Sequence, residues 1–217
     1  MQGSPVSRVE TKICGLTTAE SVDVAIAGGA AWLGFVFFGK SPRDIAPERA
    51  AGLIARAPAQ VGKVAVLVDA DDELVARVVA AGVTALQLHG DETPERVAAL
   101  RRRFGIEAWK TVAVRARADL ASATSYRGAA DRILYDAKPP KGADLPGGLG
   151  MRFDWTLLDG FAHPLPWLLS GGLDADNVGE AISTTGARAV DVSSGVERAP
   201  GVKDVDKIAA FLQAAAR

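Results

Sequence analysis

The chain has a single cysteine, Cys14, and only two histidines, His89 and His163, among its 217 residues. One thiol excludes an internal disulfide, and no histidine-cysteine cluster points to a metal site. An excess of charge of either sign is missing too, since 25 Lys and Arg stand against 26 Asp and Glu. That balance favours neither nucleic acid nor an anionic membrane surface as a partner. The longest uncharged run, Val24 to Gly39, is short for a membrane span and is interrupted by Gly28-Gly29. The head MQGSPVSRVE lacks the apolar stretch of a signal peptide. These absences predict a cytoplasmic protein, with residues 1–8 as a flexible N-terminal tail and residues 9–217 as one folded domain.

What is present is a repeating alternation. The composition, 48% hydrophobic and 24% charged, is that of a globular protein large enough for one sizeable core. VETKIC reads as a strand, and Thr17 with Glu20 has the spacing of a capping box for the helix that follows. AWLGFVF, KVAVLV, TALQLH, EAWKTVAV, DRILYD, PWLLS and ARAVDVSS are further short apolar runs rich in β-branched residues. Between them lie amphipathic stretches opened by Pro47, by Asp71 or Asp72, by Thr93-Pro94 and by Asp176-Asn177. The connection RADLASATSY is expected to be helical. Continuous apolar strands suit a parallel sheet covered by helices. About eight such units in one domain predict an α/β fold, a single-domain (β/α)8 TIM barrel, with a doubly wound open sheet as the alternative. The basic triplet Arg101-Arg102-Arg103 fits the exposed end of a helix, where positive charge suits the dipole.

In such a barrel the C-terminal strand ends share one face, where active sites lie. Cys14 then ends strand one, His89 strand four, Asp136 strand six and Ser170 strand seven. LSGGLDADN brings Gly171 and Gly172 after strand seven, and DVSSGVE brings Asp191, Ser193, Ser194 and Gly195 to the end of strand eight. Glycines allow a backbone to approach an anion closely, and barrels commonly bind phosphate from these two loops; the plainer alternative is two tight turns. A cysteine thiolate can remove a proton from carbon and a carboxylic acid opposite can donate one, so Cys14 and Asp136 are candidate base and acid, or ordinary rim residues. Arg43, in FGKSPRDI, offers a fork for a carboxylate ligand, unless it pairs with Asp44 or Glu48. His89 fits a structural role better than a catalytic one. Phe153 and Trp155 are expected to pack a helix rather than hold a ligand, and the Pro/Gly-rich segment 138–150 to act as a lid that closes over substrate.

KICGLT, GFVF followed by SPR, LHG, the strand-end Asp136, GGLGMRFDW, LSGGL and DVSSGVERAPGVKD, in this order from Lys12 to Asp204, resemble the phosphoribosylanthranilate isomerase family of tryptophan biosynthesis. The resemblance implies an Amadori rearrangement of N-(5'-phosphoribosyl)anthranilate, a phosphosugar bearing anthranilate, to the carboxyphenylamino-deoxyribulose phosphate, without cofactor or metal. It implies Asp136 as the general acid at the furanose ring oxygen and Cys14 as the general base at C2. It likewise implies Arg43 at the anthranilate carboxylate, and Gly171, Gly172, Asp191, Ser193, Ser194 and Gly195 around the phosphate. Leu149 departs from the pattern, for the family usually has serine or threonine there. Sister barrels acting on phosphoribosyl compounds, and a barrel that binds a phosphosugar without chemistry, are the alternatives. The oligomeric state is left as monomer or homodimer.

Overall fold

The computed structural model describes residues 8–140, 142–143 and 145–216. The expected tail lies outside the described residues except for Arg8, which donates a hydrogen bond to the Gly28 carbonyl at 3.2 Å. Eight parallel strands close into a barrel in chain order: β1 (Glu10–Ile13), β2 (Trp32–Phe37), β3 (Gly62–Leu67), β4 (Ala85–Leu88), β5 (Glu107–Val114), β6 (Arg132–Ala137), β7 (Trp167–Leu169) and β8 (Ala189–Val192). The barrel closes where β8 pairs with β1, and the register sets Lys12 opposite Asp191. A two-stranded antiparallel ribbon, β9 (Glu197–Ala199) and β10 (Val202–Lys203), follows β8.

Helices α1 (Ala19–Ala27), α2 (Pro47–Ile54), α3 (Asp72–Ala80), α4 (Pro94–Phe104), α5 (Val178–Thr185) and α6 (Val205–Ala215) surround the barrel. Pro47 and Pro94 start their helices, where the missing N–H costs nothing, and Asp71 and Thr93 cap α3 and α4 through their side chains. The cap of α1 is Thr18 rather than Thr17: its hydroxyl accepts from Ser21 N at 3.3 Å. The 117–126 connection is a 3-10 helix, not an α-helix. Its serines turn back on the backbone, Ser122 Oγ to Asp119 O and Ser125 Oγ to Ser122 O, in the way hydroxyl residues compete with regular helix. Trp155–Leu158, between β6 and β7, is also a single 3-10 turn. Arg101, Arg102 and Arg103 occupy the exposed last turn of α4, as expected. Among the described residues no helix is long and apolar enough to cross a membrane.

Strand alternation splits the core into two compartments. Outward residues such as Ile13, Leu33, Phe35, Leu86, Tyr135 and Val190 meet the helices in one large cluster, which also takes in Phe153 and Trp155. Inward residues at the N-terminal end, Trp32, Val64, Trp109, Leu134 and Leu168 among them, plug the barrel floor. The floor is sealed by an edge-to-face Trp32–Trp109 pair, its centroids 5.3 Å apart. The floor is thus apolar. The inward positions above it mix polar residues with Val36 and Val66, and they carry the site.

Candidate active site

The C-terminal strand ends surround a pocket of about 840 Å³, partly open to solvent, whose wall includes Cys14, Arg43, His89, Asp136, Gly171, Gly172, Asp191, Ser193 and Ser194. Residues 145–151 of the loop after β6 line it as well, with Leu149 and Met151 exposed at the rim. Gly195 is not in that wall.

Cys14 lies one residue past β1, with its N–H continuing the ladder to Val192 O at 2.9 Å. Lys12, two residues earlier, points the same way into the barrel and is completely buried. Its ammonium donates to Asp191 Oδ1 at 2.8 Å, and Ser170 Oγ donates to Asp191 Oδ2 at 3.0 Å. Asp191 therefore has both oxygens engaged inside the barrel. It lines the pocket together with Ser193 and Ser194. Gly34 on β2 makes room for this cluster: a Cβ there would come 2.9 Å from Cys14 Sγ and 3.1 Å from Lys12 Nζ. Burial pushes the Cys14 thiol above its ordinary range, although the adjacent Lys12 ammonium pulls it down. Burial also works against the charge on Lys12, but Asp191 and the neighbouring sulfur outweigh it and hold the ammonium above the usual lysine value.

Asp136 comes from β6, which does not adjoin β1 in the barrel. Its Oδ1 accepts from Ala137 N at 2.8 Å, and its Oδ2 lies 3.3 Å from His89 Nε2, a contact without hydrogen-bond alignment. His89 Nδ1 faces Gln87 Nε2 at 3.2 Å. Gly147 lies directly over the pair. An added Cβ would meet Asp136 Oδ2 at 2.6 Å and His89 Nε2 at 2.7 Å. The segment after β6 thus rests on the acid candidate, and only a glycine lets it do so.

Arg43 pairs neither with Asp44 nor with Glu48. Its fork grips Glu197, Nε to Oε1 at 2.7 Å and Nη2 to Oε2 at 2.8 Å, and Nη2 also donates to Gly148 O at 3.1 Å. Lys203 joins from β10, with Nζ 2.8 Å from Glu197 Oε1 and 2.9 Å from Ser193 O. Burial opposes the Glu197 charge, yet Arg43 and Lys203 together hold the carboxyl below its ordinary range. Lys203 shares its single carboxylate with Arg43, so burial prevails there and its ammonium lies below the usual lysine value. Among the described residues Arg43 Nη1 has no hydrogen-bond partner, while Nε and Nη2 are both engaged.

Gly171 and Gly172 take the left-handed conformation at φ +89° and +64°. Among the described residues no acceptor is found for the backbone N–H of Gly171, Gly172 or Ser194. Ser193 Oγ donates to Cys14 O at 3.2 Å, tying the β8 end to β1. Gly195 serves by its smallness, since a Cβ would stand 1.9 Å from Leu173 O and force the two loops apart. Lys12, Ser170, Glu197 and Lys203 were missed as site residues. Lys12 and Glu197 lie inside the quoted words KICG and SSGVE, and Lys203 inside PGVKD, but their partners are distant in sequence.

The family profile for N-(5'phosphoribosyl)anthranilate (PRA) isomerase matches residues 11–214. The N-(5'-phosphoribosyl)anthranilate isomerase of Zymomonas mobilis subsp. pomaceae is 57% identical over 95% of this chain and 97% of its own. That of Paramagnetospirillum magneticum is 53% identical over 95% and 97%. The phosphoribosyl anthranilate isomerase of Thermotoga maritima superposes with a TM-score of 0.84 at 38% identity, covering 95% of this chain and 98% of that one. A phosphoribosyl anthranilate isomerase in complex with reduced 1-(o-carboxyphenylamino)-1-deoxyribulose 5-phosphate superposes at 0.81 with 37% identity, again over 95% and 98%. With the profile spanning nearly the whole chain and relatives at this level of identity, the chain belongs to the N-(5'-phosphoribosyl)anthranilate isomerase family.

Proposed function

We propose that this chain converts N-(5'-phosphoribosyl)anthranilate to 1-(2-carboxyphenylamino)-1-deoxyribulose 5-phosphate in tryptophan biosynthesis, with Asp136 as general acid and Cys14 as general base. The observation that carries the roles is that these two side chains, from non-adjacent strands, open on one pocket. Asp136 gives its proton to the furanose ring oxygen; the C1–O bond breaks as the anthranilate nitrogen lone pair forms a C1=N bond. The Cys14 thiolate then takes the C2 proton, the C–H electrons form C1=C2, and the C1=N pair returns to nitrogen. The resulting enol tautomerises to the ketone. Oxidation at C2 balances reduction at C1, so the rearrangement needs no electron acceptor and no cofactor.

Binding groups hold the two ends of the substrate. The N–H groups of Gly171, Gly172 and Ser194, with the Ser193 segment, suit the phosphate, and Gly195 keeps their loops close enough to share it. Arg43 Nη1 suits the anthranilate carboxylate, as a single contact rather than a fork, because Glu197 takes the fork. These remote contacts supply binding energy that fixes the reacting carbons between acid and base. Leu149 brings no hydroxyl to the phosphate. Every group named belongs to one chain, so a cytoplasmic monomer or homodimer serves equally. The test is the loss of anthranilate fluorescence when freshly generated phosphoribosylanthranilate meets the purified protein. Rapid loss with formation of the ketose supports the reading; no conversion overturns it.

A further inference from the structure

We propose that Lys12 is a positioning residue for the base: its buried ammonium, anchored on Asp191, is the counter-charge that stabilises the Cys14 sulfur as it becomes an anion. This deepens the proposed function and rests on its assignment of Cys14.

Three observations carry it. Lys12 and Cys14 project from the same face of β1, and the Lys12 side chain is completely buried, so its charge faces no water. Gly34 leaves a gap that a methyl group would close, and both Cys14 Sγ and Lys12 Nζ border it, at 2.9 and 3.1 Å from the position of that Cβ. Asp191 is one carboxylate shared between Lys12 and the Ser170 hydroxyl.

A purely structural ion pair is a poor explanation. Barrel interiors are filled at least cost by branched aliphatic residues, and a buried pair adds little over apolar packing. The other charges near Cys14 do not substitute for Lys12. Arg43, whose side chain packs on Gly15, and Lys203 on β10 are both bound to Glu197. Across the pocket are Asp136 and His89, and Asp191 on β8 repels a thiolate. Lys12 is the leading cation at the sulfur, with Lys203 contributing less, and Asp191 fixes Lys12 there.

Because Cys14 is the sole cysteine, its alkylation by iodoacetamide as a function of pH reports this one thiol. We expect Lys12→Met to move the profile to higher pH and to slow alkylation at pH 7.5 at least tenfold. Removing the Asp191 carboxylate as well, in Lys12→Met with Asp191→Asn, should restore part but not all of that loss. The double variant buries no unpaired charge, so it keeps the test open if the single variant does not fold. A wild-type alkylation profile in either folded variant overturns the proposal. In the same variants the rising limb of kcat/KM against pH should move with the alkylation profile. A shifted alkylation profile with an unmoved kcat/KM limb would leave the Lys12–Cys14 coupling standing and remove Cys14 as the base.

Discussion

Replacing Glu197 by alanine tests whether the rim is held by one buried carboxylate. Glu197 accepts from Arg43 Nε at 2.7 Å, Arg43 Nη2 at 2.8 Å, Lys203 Nζ at 2.8 Å and Gly201 N at 3.3 Å. The side chains of Arg43, Lys203 and Glu197 are 6%, 2% and 4% exposed. The variant therefore leaves two buried cations with no anion between them. Breaking such a pair costs about 3–5 kcal/mol, against little for an exposed one. With a urea slope of about 3 kcal/mol per molar, near the top of the range for single domains, the unfolding midpoint should fall by about 1 M or more. Arg77–Glu48 is the control: its N–O distance is also 2.7 Å, but its side chains are 50% and 67% exposed. Glu48→Ala should leave the midpoint unchanged within error. Equal midpoint shifts in the two variants would refute the argument that burial, rather than distance, sets the worth of these pairs.

Other outcomes follow from the same geometry. Gly34→Ala drives a methyl group against Cys14 Sγ and Lys12 Nζ, and kcat should fall about 100-fold with KM little changed, since the remote contacts are untouched; an unaltered kcat would count against the placement of Cys14. Gly195→Ala must separate the β7 and β8 loops to relieve a 1.9 Å approach to Leu173 O. It should cost about 1–3 kcal/mol of stability and raise KM more than it lowers kcat. The pH dependence of unfolding should reflect Glu197. Its folded value is below the ordinary carboxyl value of about 4.3, so its contribution is complete above that pH and is lost as pH falls through the folded value. The stability gap between the wild type and Glu197→Gln should thus be widest near neutrality and close below about pH 4. A gap that persisted undiminished at pH 3 would contradict the assignment.

The fold was legible because its signals are periodic. Continuous apolar strands, with Pro47, Asp71 and Thr93 at helix starts, fix the alternation, and the alternation fixes which residues reach the rim. Cys14, Asp136 and Ser170 could be placed there with no knowledge of contacts. What was not legible is long-range pairing of charges. Arg43 had two acidic neighbours in sequence, but its partner is 154 residues away, brought near by barrel closure and by the β9–β10 ribbon. Asp191 was placed at the strand-eight end beside Ser193 and Ser194, but its partner Lys12, 179 residues away in sequence, was not legible. The 117–126 segment is helical as expected, and its 3-10 form has a local reason. Its hydroxyl side chains bond to backbone carbonyls nearby, which favours a 3-10 helix over the α-helix its length suggests.

The acid-base pair itself is tested most directly by turnover of phosphoribosylanthranilate, followed by anthranilate fluorescence, in Cys14→Ser and Asp136→Asn. Both substitutions are close to isosteric, so both proteins should fold and bind product like the wild type. With the two proton transfers lost, kcat should fall at least 100-fold in each. A folded Cys14→Ser or Asp136→Asn protein turning over at the wild-type rate would contradict the assignment of that residue.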